Sequence, residues 1–284
     1  MRAYDAGRWL LLATLWSLQF LFMRLAVPEL GAPLVAEVRT LAAVAFILPW
    51  AILAAQRIAP LAHWRDHLAI ALVNNVLPFV CMAWAAASLP AGYLAIINGT
   101  VPLWTAVFAA LLIGERFGAH RLAGFALGIA GVALIVKLGP VALEASTFAA
   151  AGVALAGAAF WGWAGVLIKQ RFGQLPAIGL AAGSITYAAL ILSPAWALGP
   201  PPQAWSGEAA AAALALGLLC SGVAYLPFFT LLRDIGPSRT LSVTFMVPVL
   251  GVLWGWLFLD EVVTAPMLAG AALVLGALAL VLRR

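Results

Sequence analysis

Ten apolar runs, each close to the length that crosses a hydrocarbon layer, follow one another along this chain with short breaks between them. They lie near 9–27, 33–55, 68–88, 92–113, 119–138, 150–170, 176–198, 209–232, 239–259 and 265–282. A helix needs about 20 residues to span the core of a bilayer, so ten spans consume most of the 284 residues. The breaks carry turn punctuation: residues 57–67, Ser88-Leu89-Pro90, residues 114–121, Gly199-Pro200-Pro201-Pro202 and Gly236-Pro237. Nothing left between them is long enough for an ATPase module or a soluble catalytic domain. Only 9% of the residues are charged, against about 25% in soluble domains, and 65% are hydrophobic. No water-soluble globule of this size hides so much apolar surface. The chain is read as an all-α polytopic membrane protein.

The net charge of +5 comes from 15 basic and 10 acidic residues. The basic residues are scattered singly rather than gathered on one face, so no nucleic-acid partner is expected. They act as topological marks instead. With the N-terminus inside, the cytoplasmic segments hold Arg2, Arg8, Arg57, Arg65, Arg116, Arg121, Lys169, Arg171, Arg233, Arg239, Arg283 and Arg284. Only Arg24, Arg39 and Lys137 fall elsewhere, as the positive-inside rule requires. Both termini are therefore expected in the cytoplasm. The N-terminal run is read as a retained first helix, because no convincing cleavage site follows it. Cys81 and Cys220 lie in apolar runs and read as small buried hydrophobes.

The two halves, 1–144 and 145–284, resemble each other. At an offset of 146, Val101-Pro102 meets Val247-Pro248 and Glu115 meets Glu261; at 145, Trp16 meets Trp161 and Arg24 meets Lys169. Leu77-Pro78-Phe79 pairs with Leu226-Pro227-Phe228 after a small shift. Five spans is an odd number, so the second copy enters the membrane from the opposite side. Inverted five-helix repeats are the architecture of many secondary transporters, with the substrate site between the halves.

Segment 15–24, with Trp16, Gln19 and Arg24, and its counterpart 160–169, with Trp161, Trp163 and Lys169, resemble the opening helices of the EamA-type drug/metabolite transporters. Arg39 with the small and apolar run after it resembles that family's second span. The proline-bearing helices ending at Glu115 and Glu261 resemble its most recognisable signature. The resemblance covers nearly the whole chain and implies a ten-helix carrier of small metabolites in a bacterial inner membrane. Within the family, the Trp-rich opening segments are most similar to the aromatic amino acid exporters.

Candidate site residues follow from polar groups and kinks inside the spans. Pro78, Pro102, Pro227 and Pro248 each leave a carbonyl four residues earlier without its donor; these belong to Asn74, Asn98, Val223 and Thr244. A bent, polar-lined cavity is one reading, and water-satisfied kinks are the other. Asn75 and Tyr225 join Gln19, Asn74, Asn98 and Thr244 as hydrogen-bonding candidates, because polar groups face the bundle interior. Trp16, Trp104 and Trp163 are the candidate aromatic walls, against lipid-facing or packing roles. Glu37, a carboxylate within a span, is a candidate coupling group together with Arg39. Arg39 stands two positions on, and so close to the outer end both side chains have the option of snorkelling to the interface. Gly124 with Gly128, and Gly251 with Gly255, form GxxxG patterns expected to serve internal packing, although a dimer seam is also open.

Enzyme chemistry finds little support. His63, His67 and His120 are placed in cytoplasmic loops, away from any nucleophile, and no metal-ligand set, intramembrane aspartyl pair or P-loop occurs. No metal or cofactor is expected. The sparse set of polar residues also argues against an ion channel. The expected function is a secondary carrier that exports small metabolites, aromatic amino acids or related amphipathic compounds, by alternating access. With few deep cations, the favoured cargo is neutral, zwitterionic or cationic. The alternatives are a carrier of nucleobases, sugars or organic cations, a membrane enzyme, or a channel. Its expected partners are a small-molecule substrate and the bilayer, with a monomer sufficient and a dimer possible.

Overall fold

The computed structural model describes residues 3–54, 58, 63–115, 118–138, 144–171, 177–201, 204–236, 240 and 242–282. These residues form helices and turns, with no strand among them. The helical spans are α1 (Ala3–Leu30), α2 (Ala32–Leu53), α3 (Trp64–Ala86), α4 (Ala91–Ile113), α5 (Ala119–Leu138), α6 (Ala145–Arg171), α7 (Ile178–Leu198), α8 (Gly207–Ile235), α9 (Ser242–Phe258) and α10 (Ala265–Leu282). Eight are long and apolar enough to cross a membrane, and α9 and α10 are shorter apolar helices. Arg2, Arg57, Arg116, Arg239, Arg283 and Arg284 lie outside the described residues.

Four of the intramembrane prolines leave a visible mark on the helices that hold them, whereas Pro49 lies inside an uninterrupted α2. A proline cannot donate to the carbonyl one turn back, so the backbone is free to widen, tighten or break there. α3 widens into a π-helical stretch, Ala71–Val76, just before Pro78, and α8 does the same at Leu216–Val223 before Pro227. α4 breaks at Gly99 and Thr100 before Pro102. α9 opens as a 3₁₀ turn, Ser242–Phe245, ahead of Pro248. Thus the residues that correspond between the halves depart from α geometry at corresponding places.

Lipid gives no hydrophobic reward for pressing helix on helix, so close contact depends on small residues. α5 and α10 meet at Gly131 and Gly270, where a Cβ on either would lie 2.8 or 2.7 Å from the other's carbonyl oxygen. The first half of α4 lies against α9: Gly92 faces Val252, Gly251 faces Ala95, and Gly99 sits against the Pro248 ring. Gly217 of α8 meets the backbone of Arg39 in α2. Both GxxxG patterns are used inside the chain, since Gly128 lies under Leu103 and Ala277, and Gly255 under Glu261. Leu53, Leu111, Leu190 and Trp256 point outward.

Polar contacts sort the helix ends into two sets. One set joins Arg8 to Asp234, Trp9 to Ser242 and Lys169 to Glu115. The other joins Arg24 to the Ala86 carbonyl, Glu29 to Ser206 and Glu261 to the Ala91 backbone N–H. This is the pattern that helices crossing alternately produce. One correction to the expectation from sequence concerns His67. It is not a loop residue: it lies in the first turns of α3, buried beneath Gly183 and stacked on Tyr187 of α7 with ring centroids 6.1 Å apart.

Candidate functional site

The polar side chains of the bundle gather in two neighbouring clusters about midway along their helices. The first is built on Arg39, seven residues into α2. Its Nε donates to Ser221 Oγ of α8 at 2.8 Å, and its Nη2 donates to Gln19 Oε1 of α1 at 3.1 Å. Its Cζ lies 3.6 Å over the ring centre of Phe79 in α3. Gln19 is itself oriented, because its Nε2 donates to the Trp16 carbonyl at 2.8 Å. Ser221 belongs to the π-helical stretch of α8, and Gly217 one turn earlier lets α8 approach α2. Cys220 and Tyr225 stand within electrostatic reach of the guanidinium.

The second cluster is built on the π-helical stretch of α3. The carbonyl of Asn74, which Pro78 leaves without a helical donor, accepts from Trp161 Nε1 of α6 at 3.0 Å. A tryptophan from the other half thus satisfies the fault. Asn74 Nδ2 donates to Asn75 Oδ1 at 3.2 Å, and Asn75 Nδ2 reaches Ser184 Oγ of α7 at 3.5 Å. Trp161 also stands edge-on to Phe79, at 6.2 Å, so Phe79 links the clusters.

Among the aromatic pairs that cross between the halves, two correspond to each other. Trp16 packs on Phe228 with ring centroids 5.5 Å apart, and Trp161 packs on Phe79 at 6.2 Å. Trp16 is matched with Trp161 in the sequence, and Phe79 with Phe228. Each tryptophan therefore meets the phenylalanine that follows the other half's proline.

The remaining candidates fall at varied distances from these clusters. Tyr225 stacks on Phe229 at 5.4 Å, beside the Arg39 cluster. Pro78 is buried in α3, next to Phe79 in the chain. Asn98 lies half-buried at the break in α4, and Thr244 half-buried in the 3₁₀ turn of α9. Pro102 begins the second part of α4, while Pro248 and Pro227 are buried in α9 and α8. Trp104 and Trp163 are not brought to the clusters. Trp104 stands edge-on to Phe125 of α5 at 5.1 Å, and Trp163 stacks on Phe108 of α4 at 6.1 Å. Trp161, Phe79 and Ser221 are site residues that sequence reasoning undervalues. The Trp16–Trp161 match points to the first of them.

Glu37 and Arg39 need a second correction. Neither snorkels: Glu37 is 1% exposed and Arg39 4%. Two positions apart on a helix, they point to different faces. Glu37 accepts from Thr40 Oγ1 at 3.1 Å, one turn along its own helix, and not from Arg39.

A model of the EamA-like transporter family matches the chain twice, over residues 8–137 and 149–283. The chain belongs to that family. It is accordingly a multi-pass membrane protein of a family of transporters, not of enzymes. The uncharacterized transporter YvbV of Bacillus subtilis is 28% identical over 222 residues, covering 77% of this chain and 72% of the relative. The uncharacterized inner membrane transporter YedA of Escherichia coli is 26% identical over 249 residues, covering 85% and 78%. A probable terminal-alkyne amino-acid exporter of Streptantibioticus cattleyicolor is 25% identical over 210 residues, covering 72% and 68%. A solved crystal structure aligns with a TM-score of 0.66 over 99% of this chain and 96% of its own, at 22% identity, which shows a shared fold.

Proposed function

We propose that this EamA-family transporter exports small metabolites, aromatic amino acids or related amphipathic compounds, across a bacterial inner membrane by alternating access. The observation that carries the reading is the meeting of the two halves on polar groups at mid-bundle. Arg39 of the first half bonds to Ser221 of the second, Asn75 to Ser184, and Asn74 to Trp161. Isolated polar groups in hydrocarbon are costly, so they gather where a cargo or a partner uses them. The crossed pairs Trp16–Phe228 and Phe79–Trp161 put rings of both halves beside those groups, which suits a cargo with a flat apolar end. They also support two copies of opposite orientation, and the distribution of basic residues supports both termini being cytoplasmic. Two such halves exchange roles when the bundle rocks about its centre. The amino-acid cargo named for one relative agrees with this reading.

Flux into proteoliposomes tests it. Labelled phenylalanine or tryptophan should move down its gradient, and Asn75→Ala should slow that movement without loss of folded protein. Robust flux of a sugar or an organic cation with no amino-acid flux would replace the cargo class. A periplasmic reporter that lights up when fused to the C-terminus would overturn the orientation.

A further inference from the structure

The clusters leave one group unused. Arg39 is 4% exposed and lies about 10 Å along α2 from its first residue, at 1.5 Å per residue. Nε and Nη2 are tethered to Ser221 and Gln19, and one face of the guanidinium rests on Phe79. Nη1 is buried and has no hydrogen-bond acceptor. Among the described residues, no carboxylate comes within 4.0 Å of the guanidinium: Arg24, Arg121 and Lys169 have acidic partners, and Arg39 has none. Glu37, nearest in sequence, is turned to Thr40. A buried cation without an anion is strongly unfavourable, and an unmade buried donor adds to the cost.

We infer that Arg39 is the docking group for a carboxylate of the transported compound, with Nη1 as the donor and Phe79 as the floor beneath the guanidinium. The assignment rests on the carrier reading and names the chemical class of its cargo. Two tethers and a stacked face hold the planar fork in place, so little freedom is lost when an anion arrives. Nη1 offers two N–H donors, which suits a carboxylate oxygen or an oxygen pair. The charge is single. Arg24 and Lys169, the other basic residues of the matched segments, are engaged near opposite ends of the bundle, so a monocarboxylate fits better than a phosphate ester. Zwitterions and monocarboxylates are thereby favoured over the neutral and cationic cargoes that the sequence left open. The competing role for Arg39 is purely structural, a knot that fixes α1, α2, α3 and α8 together. That role makes no use of Nη1.

The test uses the purified full chain in lipid nanodiscs, with unfolding temperature and tryptophan fluorescence as readouts. Two matched pairs serve as probes: benzoate with benzamide, and L-phenylalanine with phenethylamine. Benzoate and phenylalanine should raise the unfolding temperature, and the two carboxylate-free partners should not. Arg39→Gln should abolish the effect, and Arg39→Lys should weaken benzoate about tenfold, because an ammonium cannot reproduce the tethered fork. Failure of both carboxylates to stabilise the wild-type protein overturns the assignment. Equal stabilisation by benzamide or phenethylamine does too, as does a carboxylate effect that survives in folded Arg39→Gln. If Arg39→Gln does not fold, unchanged benzoate affinity in Arg39→Lys overturns it. Benzoate binding that depends on Arg39, in a protein that moves no phenylalanine, sinks amino-acid export and upholds the carboxylate site. Phenylalanine flux indifferent to Arg39→Gln does the reverse.

Discussion

Glu115 and Glu261 end matched helices, yet one stands in solvent and the other is built into the structure. The backbone leading to them is the same device. α4 closes with Gly114 at φ 67 and α9 with Asp260 at φ 52, and each left-handed residue turns the next N–H back to a carbonyl six positions earlier. From there the two side chains part. Glu115 binds Lys169 at 3.0 Å and Arg121 at 3.2 Å, with its side chain 36% exposed. Glu261 is 11% exposed and accepts the backbone N–H groups of Ala91 at 2.6 Å and Gly92 at 3.1 Å, at the start of α4. Arg24, the counterpart of Lys169, stands 4.0 Å from Glu261 and spends Nη1 on the Ala86 carbonyl at the end of α3. Carboxylate at a helix start and guanidinium at a helix end each oppose the local helix dipole. The α3–α4 corner is thus clamped from two sides. The lesson is that a repeated motif specifies a local turn but not the partner its side chain meets.

The comparison can be broken most forcefully at Gly255. A methyl there meets the Glu261 carboxylate, with the Cδ only 2.9 Å away. Gly255→Ala should expel the carboxylate from the α4 start and lower stability by about 2–3 kcal/mol, read as a fall in unfolding temperature. Glu261→Gln removes the charge while keeping the shape. Loss of two charge-assisted caps should cost about 1–2 kcal/mol; an unchanged unfolding temperature would mean that the corner holds without the clamp.

Glu115→Gln should cost no more than about 0.5 kcal/mol, because the carboxylate is 36% exposed and its Lys169 partner 67% exposed, and added salt should erase the difference. The Lys169 hydrogen bond holds the Glu115 carboxyl below its ordinary value of 4.5. A depressed carboxyl contributes its stability in full above that ordinary value and loses it as pH falls through the folded one. The gap between wild type and Glu115→Gln should therefore be present at neutral pH and close on acidification below about 4.5. A gap that widened in acid would contradict the assignment. Smallest of all, Asp260→Gly gives the second turn the residue of the first. It relieves a left-handed non-glycine, but the extra entropy that glycine loses on folding offsets the gain, so stability should shift by no more than about 0.3 kcal/mol, leaving the Glu261 cap in place.

Much of the fold is legible in the order of the residues. The ten spans follow from apolar runs of bilayer length, and the places where helices depart from α geometry follow from Pro78, Pro102, Pro227 and Pro248. Both are local properties, written in the residues themselves. The expected polar positions Gln19, Asn74 and Asn75 do take part in the mid-bundle clusters. Trp104 and Trp163 do not, because a tryptophan in a span looks the same in sequence whether it packs on a neighbouring helix or on the centre. The expectation that Arg39 lies near an interface rests on its distance to the end of its span, a one-dimensional measure. Its actual surroundings come from Gln19, Phe79 and Ser221 on three other helices.

Apolar length, helix-breaking prolines and matched halves determined that the chain would cross a membrane many times and where its helices would falter, since each of these acts within a turn or two of itself. Which tryptophan would heal the fault at Asn74, which glutamate would cap a helix, and whether a guanidinium would lie bare or buried were decided only when the helices packed. Those outcomes depend on small residues such as Gly217, Gly251 and Gly255, whose effect is to let a distant backbone come close. Sequence spacing carries no measure of that distance.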